Sequence, residues 1–389
     1  MANSTPRRNR LTVYIGRFQP FHKGHVNILE QAMESASREF NGAVLVLVGS
    51  AHIARNIKNP FTYEERRAMI RAWVIANYPV GTRMPYVEPI RDQSYNHAKW
   101  FQTVQEIVEN TIADLGWKQS ETDVAITGSD RDESTWYLKS FPQFLNDLKP
   151  AVPPGKDLSA TKLRHRLFGE GYYDNSANKW NDVPGTTWAF LRNFMETAEY
   201  STLREEYDFN IEYKKQFSSL KYEPTFVTAD SVIIQSGHVL VVQRGALPGK
   251  GLWALPGGFV KSHQTLLQAA ICEVIEETGL KLADGKKAKE ITESILTGSV
   301  RAKENFDDPN RSLRGRTFTT AFLFRLDDSK PLPTVKGQFA PLEDTDGVEG
   351  IVETADAFWL PISVARANSD KWFEDHHAIL DVMLGMIKD

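Results

Sequence analysis

Residues Leu11–Ile15 form a mainly apolar run that ends in Gly16-Arg17-Phe18-Gln19-Pro20-Phe21-His22-Lys23-Gly24-His25 and passes at once into helical spacing at Val26, Ile28, Leu29, Ala32 and Met33. A buried strand, a glycine-bearing turn and a helix in that order open a parallel α/β sheet, because strands covered on both faces read as continuous apolar runs. The alternation continues. Ala43–Ser50 precedes a helical Thr62–Tyr78, Tyr86–Ile90 precedes a helix from about Asn96 to Leu115, and Asp123–Gly128 precedes another beginning near Glu133. Ligands in such folds sit at the carboxyl ends of the strands, where the glycine-histidine segment falls.

A chain of 389 residues is too long for one ordinary domain and suits two. After Gly169 the texture changes to Asn, Trp, Tyr and charged residues around a helical Thr187–Tyr200. From Thr225 it becomes strand-rich, with Phe226–Gln235, Val239–Gln243 and Phe318–Leu326 surrounding one helix, Thr265–Thr278. We therefore expect a Rossmann-like domain over 10–200, a connector over 201–222 and a mixed α/β or α+β domain over 223–389. Lys281–Glu290 and Arg301–Arg316 read as solvated loops. The net charge of −4 opposes a general nucleic-acid or anionic-membrane binder, and Arg7, Arg8 and Arg10 read as a frayed terminus. No apolar run approaches a membrane span, no signal-peptide pattern follows the N-terminus, and the single cysteine, Cys272, fits a reducing, cytoplasmic setting. Nothing fixes the oligomeric state, and a homo-oligomer stays open.

At a strand-to-helix turn, free backbone N–H groups and the helix dipole attract anions, and glycines let a phosphate approach the backbone. His22 and His25, spaced i, i+3, can address the same bridging oxygens and stabilise charge as one phosphate leaves another. A second cluster, Ser159-Ala160-Thr161-Lys162-Leu163-Arg164, follows Pro153-Pro154-Gly155; its hydroxyls can cap a helix, with Arg164 about one turn on.

These residues resemble the nucleotidyltransferase superfamily, and the Gly16–His25 wording resembles archaeal-type nicotinamide mononucleotide (NMN) adenylyltransferases. The likeness extends through Gly49-Ser50-Ala51, Asn59-Pro60-Phe61-Thr62 with Glu65-Arg66, and Tyr95-Asn96 with Trp100. It implies in-line attack of the NMN phosphate on the α-phosphorus of ATP, giving NAD and pyrophosphate, with Arg17 and Gln19 favouring NMN over other acceptors. On this resemblance His22, His25 and Arg164 hold the triphosphate, assisted by Ser159 and Thr161. Gly16, Phe18, Lys23 and Gly24 line the nucleotide site, Arg17 and Lys58 meet phosphates, and Asn96 and Trp100 form a nicotinamide pocket.

In the second half, Gly257-Gly258-Phe259-Val260 is followed by Glu273-Val274-Ile275-Glu276-Glu277-Thr278-Gly279-Leu280. On a helix, Glu273, Glu276 and Glu277 fall within an arc of about 100°. Carboxylates that close repel unless solvated or bridged by cations. The string from Gly258 to Leu280 resembles the Nudix box, with two departures: Gln264 stands where that family has a glutamate, and Cys272 where it has an arginine. Arg244–Trp253, Arg314-Gly315-Arg316 and Phe373–His376 resemble Nudix modules that act on ADP-ribose. The resemblance implies an α/β/α fold for this half and Mg²⁺ or Mn²⁺ held by Glu273, Glu276 and Glu277, with Gly257 contributing to the metal site. Together the halves resemble the bifunctional NMN adenylyltransferase/Nudix hydrolase family, with ATP, NMN and ADP-ribose as substrates. The alternative is a synthase fused to a non-catalytic Nudix module that senses ADP-ribose or NAD.

Overall fold

A computed structural model of the protein describes residues 8–38, 41–129, 137–149, 158–170, 180–284, 287–335 and 354–387. The chain forms two compact units, Met1–Glu205 and Glu206–Asp389. The helix expected near Glu133 and the Pro153–Gly155 turn lie outside the described residues.

The first unit runs β1 (Asn9–Gly16), α1 (Lys23–Arg38), β2 (Asn41–Val48), α2 (Tyr63–Asn77), β3 (Tyr86–Pro89), α3 (His97–Asp114), β4 (Thr122–Ser129), β5 (Leu145–Lys149), α4 (Ala160–His165) and α5 (Gly185–Phe194). The strands pair in the order β3-β2-β1-β4-β5, every pair parallel. Leu11, Val13 and Ile15 alternate onto one face of β1 and pack with Val104, Val108 and Ile112 of α3. The first connections wind outward from β1 to β3 and the next returns to β4 on its other side. This topological switch opens a crevice at the carboxyl ends of β1 and β4, where the histidine segment begins.

Two helix boundaries follow from caps written in the sequence. Thr62 and Glu65 make a reciprocal capping box at the start of α2, and the Asn96 side chain accepts the Lys99 N–H at the start of α3. The single helix expected over Thr187–Tyr200 is instead two, α5 and α6 (Ala198–Lys215). Thr197 makes the break: its hydroxyl donates to Phe194 O and accepts from Tyr200 N–H, ending one helix and capping the next. The segment 201–222, expected as a connector, thus carries helix through Lys215. Of the arginines read as a frayed terminus, Arg7 lies outside the described residues, while Arg8 is 3.0 Å from Asp123 and Arg10, in β1, is 3.5 Å from Asp147.

The second unit contains β6 (Thr225–Gln235), β7 (His238–Arg244), β8 (Trp253–Ala254), β9 (Gly257–Phe259), α7 (Leu266–Thr278), β10 (Lys281–Asp284), β11 (Lys287–Glu290), α8 (Glu293–Ser299), β12 (Val300–Phe306), β13 (Arg316–Arg325), β14 (Thr354–Pro361), α9 (Ile362–Ala367) and α10 (His376–Leu384). Its mixed sheet has the order β12-β13-β6-β7-β14, with β8 on β7 and β9 on β6. Ala270, Ile271 and Val274 of α7 pack on Ala229, Ile233, Phe322 and Phe324. The opposite pleat carries Asp230 and Thr319 toward Arg311 and Asp375, the residue that precedes α10. Two stretches read as solvated loops are corrected. Lys281–Asp284 and Lys287–Glu290 pair antiparallel as β10 and β11, and Val300–Phe306 is an edge strand paired with β13. The charged side chains of Val300–Phe306 fit an edge strand, where one side stays in solvent. Among the described residues no helix is long and apolar enough to cross a membrane.

Candidate active sites

The histidine segment is fixed atom by atom. His22 is buried, and its Nδ1 accepts the Gly24 N–H at 3.1 Å; the His25 Nδ1 accepts the His22 N–H at 3.2 Å. A neutral ring whose Nδ1 accepts must carry its proton on Nε2, so both imidazoles present Nε2–H as a donor. The rings stack at 3.7 Å, and Phe18 packs edge-on against His25 at 4.8 Å. Phe18 holds a left-handed backbone (φ 53°), as do Ser50 (φ 49°) and His52 (φ 57°) at the end of β2. Strained non-glycine backbone of this kind persists only where surroundings over-determine it, and it clusters at functional sites.

Three guanidinium groups organise this crevice. Arg66 is buried and reaches backbone carbonyls only: Arg17 O at 2.8 Å, Gly49 O at 2.6 Å, Ser50 O at 3.1 Å and Thr62 O at 3.0 Å. It clamps the carboxyl ends of β1 and β2 together. Arg164 donates to Gln19 O at 2.8 Å and to the Thr161 hydroxyl at 3.1 Å, which brings α4 onto the histidine turn. Burial and the neighbouring Arg17 push the Arg164 pKa down to about 10, so it stays charged at neutral pH. Arg17 acts electrostatically on both Arg66 and Arg164 while its own side chain is exposed. Like charges gathered at strand ends are completed by an anion with several oxygens.

Other expected residues have roles the sequence did not state. Gln19, read as a marker of the acceptor, is buried and makes a two-way pairing with Phe61, N–H to Oε1 at 3.0 Å and Nε2 to O at 2.9 Å. Lys58 is half-buried in a tight turn whose Asn56 side chain accepts its N–H. Asn96 spends its side-chain oxygen on the α3 cap, and Trp100 packs on Phe101, Tyr137 and Phe141 at the edge of the core. Ser159 occupies the position before α4 without a side-chain cap bond, so the expected hydroxyl cap is absent there. The Thr161 hydroxyl goes to Arg164 instead. Gly16 lies under the Phe18 ring, Lys23 is exposed, and its N–H donates to Asp182 O. Ser50, in the Gly49-Ser50-Ala51 string, donates to Asp92 through both its N–H and its hydroxyl.

In the second unit, α7 starts at a Thr265–Gln268 capping box and stops at Gly279 in the left-handed region (φ 54°). This places Glu273 and Glu277 against β9. Glu277 Oε2 accepts the Gly257 N–H at 3.0 Å, while a Cβ on Gly258 would stand 2.6 Å from the Glu273 carboxylate. The glycine pair is therefore a cradle for two carboxylates, and Glu276 lies exposed beside them. Among the described residues no three His, Cys, Asp or Glu side chains already converge as an ion cage. Hard carboxylate oxygens over a close-passing backbone nonetheless suit a divalent cation such as Mg²⁺ or Mn²⁺. At the two departures, the Gln264 Oε1 accepts the Lys261 N–H at 3.1 Å. Burial, with Glu276 next, pushes the Cys272 thiol pKa up while the nearby Gln264 opposes the shift, and the balance favours the neutral thiol.

Beneath β9 is a network found only in the structure. Arg311 makes a two-pronged pair with Asp375, both contacts 2.9 Å, and lies 4.0 Å from Asp230; the Thr319 hydroxyl donates to Asp230 at 2.6 Å. Burial disfavours the Arg311 charge, but Asp375 and Asp230 outweigh it and hold its pKa above the ordinary value. The available signal was Asp230 itself, a carboxylate inside an apolar strand run.

The parallel sheet with its basic crevice and the glutamate helix over a glycine strand define a nucleotidyltransferase-type domain followed by a Nudix domain. Residues 13–166 match the Cytidylyltransferase-like family and residues 224–381 the NUDIX domain. Over 201 residues the chain is 35% identical to the nicotinamide/nicotinic acid mononucleotide adenylyltransferase of Acinetobacter baylyi, covering 50% of this chain and 92% of that enzyme. The nicotinamide-nucleotide adenylyltransferase of Pyrococcus abyssi is 30% identical over 169 residues, 42% of this chain and 75% of that protein. A crystal structure of a bifunctional NMN adenylyltransferase/ADP ribose pyrophosphatase from Francisella tularensis, complexed with AMP and a Mn ion, is 31% identical with a TM-score of 0.79. The match covers 97% of this chain and 98% of that one. The chain belongs to this bifunctional family and is an enzyme.

Proposed function

We propose that the first unit makes NAD by transferring the adenylyl group of ATP to NMN, and that the second hydrolyses ADP-ribose to AMP and ribose 5-phosphate. The observation that carries the first half is the pair of imidazoles whose Nδ1 atoms are both occupied by backbone N–H groups. An NMN phosphate oxygen forms a bond to the α-phosphorus of ATP as the bond to the β,γ-pyrophosphate breaks. His22 and His25 donate Nε2–H to the oxygens that gain charge, and Arg164 with Arg17 holds the triphosphate. Ser159, Thr161, Lys58, Lys23 and the Gly16, Phe18 and Gly24 backbone complete the nucleotide site, with Asn96 and Trp100 at the nicotinamide.

In the second unit, Glu273, Glu276 and Glu277 with Gly257 would hold Mg²⁺ or Mn²⁺. When bound, the ion supplies charge neutralisation at the pyrophosphate and acidifies water. The carboxylates of Glu273 and Glu277 seated on the Gly257–Gly258 strand support catalysis over a purely sensing module, since the departures at Gln264 and Cys272 leave them in position. A cytoplasmic setting belongs to this reading and is supported by the free Cys272 thiol. Chromatography of products from the intact protein tests both halves. NMN, ATP and Mg²⁺ should give NAD and pyrophosphate, and ADP-ribose with Mg²⁺ or Mn²⁺ should give AMP. Saturable ADP-ribose binding without AMP release would favour the sensor.

A further inference from the structure

Glu206 is a buried carboxylate, 5% exposed, on α6. It lies outside the span that matches the NUDIX domain, 224–381, and belongs to the second compact unit. Its Oε1 accepts the Gly249 N–H at 2.7 Å. Gly249 is itself buried, so that N–H has no water to turn to and depends on the carboxylate. Burial pushes the Glu206 pKa up, while the Gly249 bond and Arg244 oppose the shift.

What Gly249 supports explains why such a costly group is placed there. Gly249 has φ 75°, and its missing Cβ makes room for the Phe373 ring, which lies directly against it. The same ring also carries the Arg244 guanidinium, 4.0 Å from its centroid, with the Arg244 Nε donating to Pro248 O at 2.8 Å. Arg314 lies 5.9 Å from the same ring and 5.3 Å from the ring of Phe259 on β9. The loop between Arg244 and Leu252 is closed by Gly251 N–H to Arg244 O at 2.7 Å and Leu252 N–H to Gly249 O at 3.0 Å. A change at the Gly249 amide is therefore passed to the ring and to the cation on it.

We infer that Glu206 is a positioning residue of the hydrolase site: through Gly249 and Phe373 it holds the Arg244 guanidinium beside Arg314, where the two cations receive the anionic part of a nucleoside-diphosphate substrate. The inference rests on the hydrolase reading above, and it extends the site to a helix that precedes the Nudix span. A glutamine at 206 can still accept the Gly249 N–H, whereas an alanine leaves that N–H buried and unpaired.

The test uses the full-length protein with Glu206→Ala and Glu206→Gln, assayed at 25 °C after circular dichroism and melting show each to be folded. E206A should raise KM for ADP-ribose about tenfold with kcat within about threefold, because uniform binding is what a displaced Arg244 removes. E206Q should recover the wild-type KM, and NAD synthesis should be unchanged in both. Calorimetric titration with ADP-ribose in the absence of metal should show the same tenfold weakening for E206A alone. A purely structural role lowers the melting temperature and leaves KM in place. Wild-type KM and affinity in E206A, or an E206Q protein as impaired as E206A, would overturn the positioning role while the hydrolase reading stands. Failure of the wild type both to bind and to hydrolyse ADP-ribose would overturn both.

Discussion

Alanine at Gly258 separates the catalytic role of the glutamate helix from its structural one. Gly258 has no left-handed backbone to lose, and it pairs with Ala229 across β9 and β6, so alanine fits the strand. Its Cβ, however, would stand 2.6 Å from Glu273 Cδ and Oε1, where ordinary contact begins at 3.4 Å. The carboxylate must retreat by about 0.8 Å, a small strain because it is the tip of a flexible side chain. Misplacement of that size in a catalytic constellation costs about 10²-fold in rate, or ~2.7 kcal/mol. Gly257 is the internal comparison. There a Cβ meets the Ala229 carbonyl at 2.6 Å as well as Asp230, so backbone has to move and about 1–3 kcal/mol of stability should be lost. AMP release from ADP-ribose at saturating Mg²⁺, with thermal melts, reads both effects. Gly258→Ala should lose hydrolysis about a hundredfold with a near-wild-type melt and normal NAD synthesis, and Gly257→Ala should lose stability. A Gly258→Ala protein that hydrolyses within threefold of wild type would refute the placement of Glu273 in the reaction.

At the two departures, Cys272→Arg or Gln264→Glu alone should lower stability or hydrolysis and the double change should recover it, with a coupling of about 1–3 kcal/mol in a double-mutant cycle; additivity within about 0.5 kcal/mol would show that the two positions do not interact energetically. Arg66→Lys cannot span the carbonyls of Arg17, Gly49 and Ser50 with one ammonium, so NAD synthesis should fall at least about tenfold and the first unit should melt earlier while ADP-ribose hydrolysis persists; unchanged synthesis would remove Arg66 as the clamp. Burial lowers the His376 pKa to about 3, and its Nδ1 accepts the Leu255 N–H, so the folded protein holds this ring neutral. The unfolded chain binds a proton there below about pH 6.5 and the folded chain does not. Stability from this residue is thus full above 6.5 and lost as pH falls toward 3, on the order of a few kcal/mol. His376→Asn should flatten the melting temperature between pH 6.5 and 4, and an unchanged slope would contradict the neutral ring.

The parallel sheet was legible because its central strands carry apolar runs and two of its helices begin at caps written in the sequence, Thr62 and Asn96. The edges were not. β5 has the polar sequence Leu-Asn-Asp-Leu-Lys, and β10, β11 and β12 are charged, so their strand state comes from a partner's backbone rather than from their own pattern. At the candidate sites, spacing exposed the histidines and glutamates, since residues i, i+3 and i+4 apart share a turn or a helix face. Spacing could not expose contacts across the chain. Gln19 to Phe61 spans 42 residues, Arg164 to Gln19 spans 145 and Arg311 to Asp375 spans 64, and each is made by tertiary packing. Trp100 shows the opposite difficulty, a residue named for a pocket that also packs at the core edge.

The central claim is that one chain holds two independent phosphate chemistries, one on the histidine turn and one on the glutamate helix. Parallel assay of NAD synthesis and ADP-ribose hydrolysis in His25→Ala and Glu277→Gln tests it most directly. His25→Ala removes one preorganised donor and should lose synthesis by about 10²–10³ while hydrolysis is unchanged. Glu277→Gln can keep the Gly257 hydrogen bond but removes a charge from the carboxylate group, so metal-dependent hydrolysis should vanish with synthesis intact. Loss of both activities in either folded variant, or full retention of the targeted one, would contradict the two-site account.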